Sequence, residues 1–177
     1  MNIKSKGFTL IELLVVVAII GILATVVLTS LSSARSSARD AKRLADVKTI
    51  QTALELYNLD NGSYPTTNWV GSHNSSWSSL ETALGITLPV DPLNSGNGNN
   101  ASARDGDYVY SYRAHNSSLY CYGRVYQLIF NLEGKNGDAD NDGVTFCDDS
   151  YNYGNAFVVG MNADGSFTTP DLSGTPK

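Results

Sequence analysis

The chain has 177 residues and a mass of 19.0 kDa, enough for one ordinary domain or for a small domain with an appendage. Charged residues make up only 16% of it and the mean hydropathy is −0.15, which argues against a charge-rich disordered protein and against a coiled coil. The net charge of −5 gives nucleic acid no general attraction, and two cysteines are too few for a disulfide-dense mini-protein or a four-cysteine zinc site.

Hydropathy and charge are unevenly distributed along the chain. The segment from Leu13 to Ala34 has no charged residue and consists mostly of Leu, Ile, Val and Ala; as a helix it would be about 33 Å long, enough to cross a bilayer core. Residues 35–48 form a basic collar with a net charge of +3, and residues 49–177 carry a net charge of −9. The sequence therefore predicts an apolar rod, a basic collar and an acidic, polar body.

The residues of the apolar run alone are compatible with a secretory signal peptide, a membrane anchor or a buried core helix. The run is longer than the apolar region of most signal peptides, although Ser32-Ser33-Ala34 has the small residues of a cleavage site. Glu12 stands where the run begins; a carboxylate there is costly in lipid unless it is paired, but the dipole of a helix start also favours it. Counting basic residues on either side leaves the orientation of the span open.

The residues at the start of this run form a long, ordered motif. It reads Lys6-Gly7-Phe8-Thr9-Leu10-Ile11-Glu12-Leu13-Leu14-Val15-Val16-Val17-Ala18-Ile19-Ile20-Gly21-Ile22-Leu23-Ala24. This motif resembles the N-terminus of type IV prepilins and of type II secretion pseudopilins. The resemblance is strong over residues 1–30 and extends more weakly to about residue 65.

This resemblance implies that prepilin peptidase cuts after Gly7, that the new N-terminal residue Phe8 is N-methylated, and that Glu12 pairs with the N-terminal amine of a neighbouring subunit. Two buried opposite charges on different subunits cancel only when the subunits are in register, so such a pair can set their stagger. The resemblance also implies a cytoplasmic N-terminus. The chain departs from many members of the family at Thr29, where they have a proline that kinks the helix.

Beyond the collar the sequence predicts the second, amphipathic half of the same helix, which we expect to run from Phe8 to about Leu59. Apolar residues recur at helical spacing, and Arg43 falls close to this stripe and blurs its start. Asp60-Asn61-Gly62 predicts the end of the helix. The stripe comprises Leu44, Val47, Ile50, Leu54 and Tyr57.

The remainder predicts short strands, and with the resemblance it indicates an α+β pilin fold: a long N-terminal helix packed on a small C-terminal antiparallel β-sheet head. Tyr108–Tyr112, 120–132, 156–161 and 167–169 have strand patterns, and the last two flank a hairpin turn. Asp91-Pro92 resembles a landmark of major pseudopilins, with Leu93 in place of their usual tryptophan. We expect four segments, namely a leader at 1–7, a transmembrane and filament-core helix at 8–34, an amphipathic helix half at 35–60 and a globular head at 61–177.

An acidic stretch in the head has the spacing of a calcium loop. Carboxylates fall at positions 1, 3, 5 and 12 with glycine at position 6, and a carbonyl is available at position 7. The alternative is an acidic, solvated hairpin tip, and the last ligand is Asp rather than the usual Glu. The resemblance to major pseudopilins also implies a calcium loop late in the head. The expected ligands are Asp138, Asp140, Asp142, Val144 and Asp149.

Cys121 and Cys147 can form a disulfide if the head lies outside the cytoplasm; two separate buried thiols are the alternative. No G-x-S-x-G motif occurs and neither histidine has ligand spacing, so the sequence does not predict an enzyme.

We therefore expect a structural filament subunit, of a type IV pilus or of a type II secretion pseudopilus. It would be held by a single span in the inner membrane with its head outside the cytoplasm, and would end in a periplasmic or extracellular filament. The expected partners are copies of itself, prepilin peptidase, minor pilins and the assembly machinery of the inner membrane, with no nucleic acid. The alternative is a membrane-anchored or secreted monomeric domain that binds its target in a calcium-dependent way.

Overall fold

A computed structural model describes residues 7–96, 107–115, 123–134, 157–161 and 167–168. Within them the chain forms α1 (Leu10–Asn61), β1 (Thr67–Gly71), α2 (Trp77–Leu84), β2 (Ser111–Ala114), β3 (Gln127–Phe130), β4 (Phe157–Met161) and β5 (Phe167–Thr168). The chain divides into two compact units, Met1–Ala38 and Arg39–Lys177.

The long helix predicted from the sequence is confirmed, with bounds two residues later at each end. It is continuous through residue 29, so the absence of proline there leaves the backbone helical. It ends where Asp60-Asn61-Gly62 predicted: Asn61 Nδ2 donates to the Tyr57 carbonyl at 2.9 Å, and Gly62 adopts a φ of 71° while its N–H donates to the Asn58 carbonyl. This is a left-handed glycine cap, which satisfies carbonyls that have no partner inside the helix.

The apolar stripe of the second half of α1 forms one wall of the head core. Val47, Ile50 and Leu54 are buried, and Leu44 packs against the same cluster. The stripe therefore has the role that its helical spacing predicted.

The strands of the described residues form one antiparallel sheet in the order β1-β2-β3-β4-β5. The predicted α+β pilin fold is therefore confirmed. β2 starts three residues later than its sequence pattern and extends to Ala114, and Tyr108 makes an isolated bridge to Ser95 ahead of it. Among the described residues of the predicted 120–132 strand, β3 covers only Gln127–Phe130, after a turn near Gly123, whose φ is 83°. β4 and β5 pair as the hairpin that the sequence predicted, although its turn lies outside the described residues.

Two elements between the end of α1 and Asp91 were not predicted. β1 pairs with β2 at the sheet edge, and its register shifts between Thr67 and Val70. α2 contributes Trp77 and Leu80 to the core and ends at Gly85, which has a φ of 68°.

Tyrosines fill much of the space between α1 and the sheet. Tyr64 and Tyr126 pack edge to face with ring centroids 4.6 Å apart. The Tyr64 hydroxyl donates to Glu55 and the Tyr112 hydroxyl donates to the Pro65 carbonyl, each at 2.8 Å. All three rings are core residues, and the hydroxyls of Tyr64 and Tyr112 are satisfied by these hydrogen bonds.

Candidate assembly segment and ion-pair network of the head

The first turn of α1 is closed by a capping box. The Thr9 backbone N–H donates to Glu12 Oε2 at 2.9 Å, and the Thr9 hydroxyl donates to the same oxygen at 2.6 Å. In return the Glu12 N–H donates to Thr9 Oγ1 at 3.3 Å. Thr9 is thus the N-cap and Glu12 the third helical residue, a pairing that satisfies two amide groups at the helix start. The Glu12 carboxylate also lies at the positive end of the helix dipole.

Gly7 and Phe8 precede this cap outside the helix, and both are exposed, Phe8 by 80%. The peptide bond at which the sequence motif predicts cleavage therefore lies in non-helical chain directly before a capped helix. That position leaves the bond accessible without unwinding α1.

The first half of α1 exposes its apolar side chains all round. Leu10, Ile11 and Ile22 are each at least 67% exposed, and the most apolar 18-residue window has a mean hydropathy of 3.0. By length and composition this helix can cross a membrane. Within Met1–Ala38 such a surface must be covered by lipid or by another protein.

Two hydroxyl groups in this apolar segment are satisfied within the helix. Thr25 Oγ1 donates to the Ile22 carbonyl at 2.7 Å, and Ser30 Oγ donates to the Val26 carbonyl at 3.1 Å. Such bonds lower the cost of placing a hydroxyl in lipid.

A buried arginine lies at the centre of the head's ion pairs. The Arg43 side chain is fully buried and forms a two-pronged pair with Asp91, through Nε–Oδ2 at 2.6 Å and Nη2–Oδ1 at 3.1 Å. Its Nη1 donates to Asp40 Oδ1 and to Glu133 Oε1, each at 2.7 Å. The guanidinium also lies over the Tyr108 ring, 4.7 Å from its centroid. Each of the three guanidinium nitrogens thus donates at least one hydrogen bond. A buried charge requires such partners.

The acids of this network also hold backbone amides. Asp40 accepts the N–H groups of Glu133 and Gly134 at 2.9 Å each, and Asp91 accepts the Leu93 N–H at 2.8 Å. The network therefore fixes two loops of the head to the start of the amphipathic helix half.

Two arginines donate hydrogen bonds to the Glu133 carboxylate at the same time, and these bonds lower the pKa of Glu133. Arg39 donates from Nε and Nη2 at 2.7 and 2.5 Å, and Arg43 adds a third bond. The hydrogen bonds from Arg39 are the largest cause and bring the pKa of Glu133 to about 2. Burial by itself lowers the pKa of Arg43, but its hydrogen bonds with Asp91 and Glu133 outweigh burial, so the Arg43 pKa lies above its ordinary value.

A second polar cluster lies one turn further along α1. Asp46 accepts a hydrogen bond from the buried Tyr110 hydroxyl at 2.9 Å and pairs with Lys42 at 2.5 Å. Burial, together with the nearby Asp46 charge, raises the pKa of Tyr110 above its ordinary value. Of the basic side chains of the collar, Arg39 and Arg43 are thus paired with carboxylates of the head, whereas Lys42 pairs with Asp46 along the helix.

This network was not predicted from the sequence, in which Arg43 blurs the start of the apolar stripe and Asp91 stands out only as a landmark before proline. The available signal was an arginine at a stripe position in a chain with few charges, since such a residue needs carboxylate partners elsewhere in the head. Its partners could not be chosen from sequence because they lie 48 and 90 residues away.

The predicted calcium ligands and both cysteines lie outside the described residues. These are Asp138, Asp140, Asp142, Val144 and Asp149, with Cys121 and Cys147. In the part of the chain that the structure describes, no group of three or more His, Cys, Asp or Glu side chains is arranged for a metal ion. The cluster of Asp40, Asp91 and Glu133 is instead neutralised by arginines.

Comparison with known proteins agrees with this arrangement. Residues 2–28 match the prokaryotic N-terminal methylation motif, and residues 30–127 match the family described as type II secretion system protein G. Over 65 residues the chain is 45% identical to type II secretion system core protein G of Escherichia coli and, equally, to that of Vibrio cholerae. The same protein of Pseudomonas aeruginosa is 45% identical over 64 residues.

These alignments cover 36–37% of this chain and 44–45% of the relatives, so the match spans less than half the length of the curated relatives. No solved structure matches the chain.

The helix α1 is capped within the methylation motif, has an apolar first half and packs by its second half on an antiparallel sheet. This combination defines a pilin-like protein. Within that class the chain belongs to the type II secretion system protein G family, whose match covers more than half of its length. The resemblance to pseudopilins noted in the sequence is thereby confirmed.

Proposed function

We propose that the chain is made as a membrane precursor, that prepilin peptidase removes residues 1–7, and that the mature chain beginning at the methylated Phe8 assembles into a secretion pseudopilus. The observation that carries this proposal is the exposed apolar first half of α1, most of which lies within the methylation motif. Its function is assembly rather than catalysis.

The physical basis is an exchange of one apolar environment for another. In the inner membrane the apolar half of α1 is covered by lipid, with the head outside the cytoplasm. In the filament it is covered by the same segments of neighbouring copies. Because both environments are apolar, extraction need not expose this surface to water, which would be very costly for so many Leu, Ile and Val side chains.

Glu12 would set the register of this packing. Cleavage creates an amine at Phe8, a second charge that lipid disfavours. Pairing of that amine with the Glu12 carboxylate of the adjacent copy would neutralise both. In the precursor the Glu12 carboxylate is occupied by the Thr9 cap, so the acid is satisfied until an amine from a neighbour becomes available.

The mature N-terminus and the Glu12→Ala variant test this function together. Mass spectrometry of the protein from cells with an assembly system should find a mature chain that begins at Phe8 with one added methyl group. The Glu12→Ala variant should be cleaved in the same way but should give no filaments in the sheared fraction. Normal filaments from this variant would refute the pairing role.

A mature chain that begins at Arg35 would instead identify removal by an ordinary signal peptidase. That result would favour the monomeric, calcium-dependent binding domain and would contradict the filament proposal.

The proposal extends to the acidic loop of the head. Asp138, Asp140, Asp142, the Val144 carbonyl and Asp149 would hold calcium, because hard cations bind such convergent oxygens and three close carboxylates repel one another without a cation. A Cys121–Cys147 disulfide would join this loop to the chain near β3. Copies of the chain, minor pilins and the inner-membrane machinery would be the partners.

A further inference from the structure

The head has an open groove of about 500 Å³ where the C-terminal ends of α1 and α2 meet. Its apolar lining includes Leu56, Leu84 and Ile86. Leu56 is 60% exposed and Ile86 is 45% exposed, so the groove places large apolar side chains in contact with solvent. Such a concentration of exposed apolar surface is typical of an interaction site.

The rim of this groove is electronegative. Both helices end there, and neither has a basic residue in its last turn to balance the negative end of its dipole. The exposed Asp60 carboxylate adds a full charge one helical turn after Leu56. The groove therefore suits an occupant that offers an apolar side chain and, next to it, a cation.

The chain itself contains such a segment. Leu31 and Arg35 are both exposed and lie four residues apart on α1. Leu56 and Asp60 have the same spacing. Arg35 forms no ion pair with any residue that the structure describes, whereas Arg39 and Arg43 of the same collar are paired within the head.

We propose that the groove receives the Leu31–Arg35 segment of a second copy of this chain, with Leu31 against Leu56 and Arg35 against Asp60. Leu31 and Leu56 are 25 positions apart in the sequence, and so are Arg35 and Asp60. Two parallel α1 helices displaced by 25 residues can therefore form both contacts at once. The contact joins two different surfaces of the chain, and such a heterologous contact propagates into an open filament rather than closing into a dimer. This inference rests on the proposed function and adds to it a specific contact between subunits.

Charge reversal tests the polar half of the contact in cells that assemble the unmutated full-length chain. Asp60→Arg and Arg35→Asp should each lower the sheared filament yield by about tenfold or more, because each places like charges together. The double variant should restore the yield. The combination of Asp60→Arg with Lys48→Asp, which reverses another exposed collar cation, should not restore it.

Leu56→Ser tests the apolar half and should also lower filament yield, whereas Leu93→Ser, at another exposed leucine of the head, should not. Membrane levels and thermal unfolding in detergent should match the unmutated chain for all variants, because every substituted side chain is exposed.

Full yield from the single variants, or no restoration in the double variant, would overturn this contact while leaving the proposed function intact. Intact filaments with impaired secretion would assign the groove to another partner and also overturn it. Absence of filaments from the unmutated chain would refute both proposals.

Discussion

Arg43 and Asp91 are 48 residues apart in the sequence, yet they form a two-pronged ion pair inside the head with both side chains fully buried. This pair joins α1 to the loop before β2, and Asp40 and Glu133 extend it to the loop after β3. The network thus connects the helix that we propose for assembly with the loops of the head.

Loss of the Arg43 charge should destabilise the head strongly. Arg43→Met leaves the Asp91 carboxylate buried without its partner, which should lower the free energy of unfolding by about 3–5 kcal/mol. Urea unfolding of the full chain in detergent, followed by the fluorescence of the buried Trp77, would measure it.

Two control variants test whether the lost stability comes from the uncompensated buried charge. Arg35→Met, at an exposed arginine, should change the free energy of unfolding by no more than about 0.5 kcal/mol. Adding Asp91→Asn to Arg43→Met removes the uncompensated charge but keeps an acceptor for the Leu93 N–H, so it should recover part of the loss. No recovery would show that the ion pair is not the cause.

Glu133 should make the stability of the head fall in acid. Its pKa is lowered from 4.5 to about 2 in the folded chain, chiefly by the hydrogen bonds from Arg39. Because the folded-state pKa of Glu133 is lowered, its ionised carboxylate contributes its full stabilisation above pH 4.5. That contribution is lost as the pH falls from 4.5 towards 2.

Unfolding midpoints measured from pH 7 to pH 2 would test this. Glu133→Gln should be less stable at pH 7 and should lose less stability on acidification. Arg39→Met should make the acid loss smaller and complete at a higher pH, because it removes the largest cause of the pKa shift of Glu133. Identical pH profiles for Glu133→Gln and the unmutated chain would contradict this role.

The two roles of Glu12 can be separated. Glu12→Gln keeps an acceptor for the Thr9 cap but removes the charge, so the first turn should stay protected from amide hydrogen exchange in micelles while filament assembly fails. Thr9→Val removes the cap, at a cost of about 0.5–2 kcal/mol, and should increase exchange in that turn. Filaments from Glu12→Gln at the normal yield would show that the cap, rather than the charge, is what assembly requires.

Calcium should raise the melting temperature of the full-length chain in detergent, and chelation should reverse the rise. At a concentration one hundred times its dissociation constant, a ligand that binds the folded state alone stabilises it by about 2.7 kcal/mol. Asp138→Asn and Asp142→Asn should abolish the shift, and magnesium should not reproduce it. A chain that melts at the same temperature with calcium and with chelator has no such site.

A Cys121–Cys147 bridge should be visible as a linked peptide in a non-reducing digest of the exported protein. On the chain-entropy model, closing this loop contributes about 3.5 kcal/mol, so reduction should lower the unfolding midpoint. Two freely alkylated thiols in the exported protein would exclude the bridge.

Local sequence patterns were enough to predict the long helix, its division into an apolar and a one-sided half, its end at Asp60-Asn61-Gly62 and the motif around Gly7. These features depend on residues within a few turns of each other. Only the tertiary structure showed that Arg43 is a buried ion-pair partner of Asp91 and Glu133, that β1 completes the sheet edge, and that the ends of α1 and α2 form a groove. These features depend on residues that are distant in sequence and become neighbours only when the chain folds, and neither hydrophobic period nor composition specifies which distant carboxylate a buried guanidinium will meet.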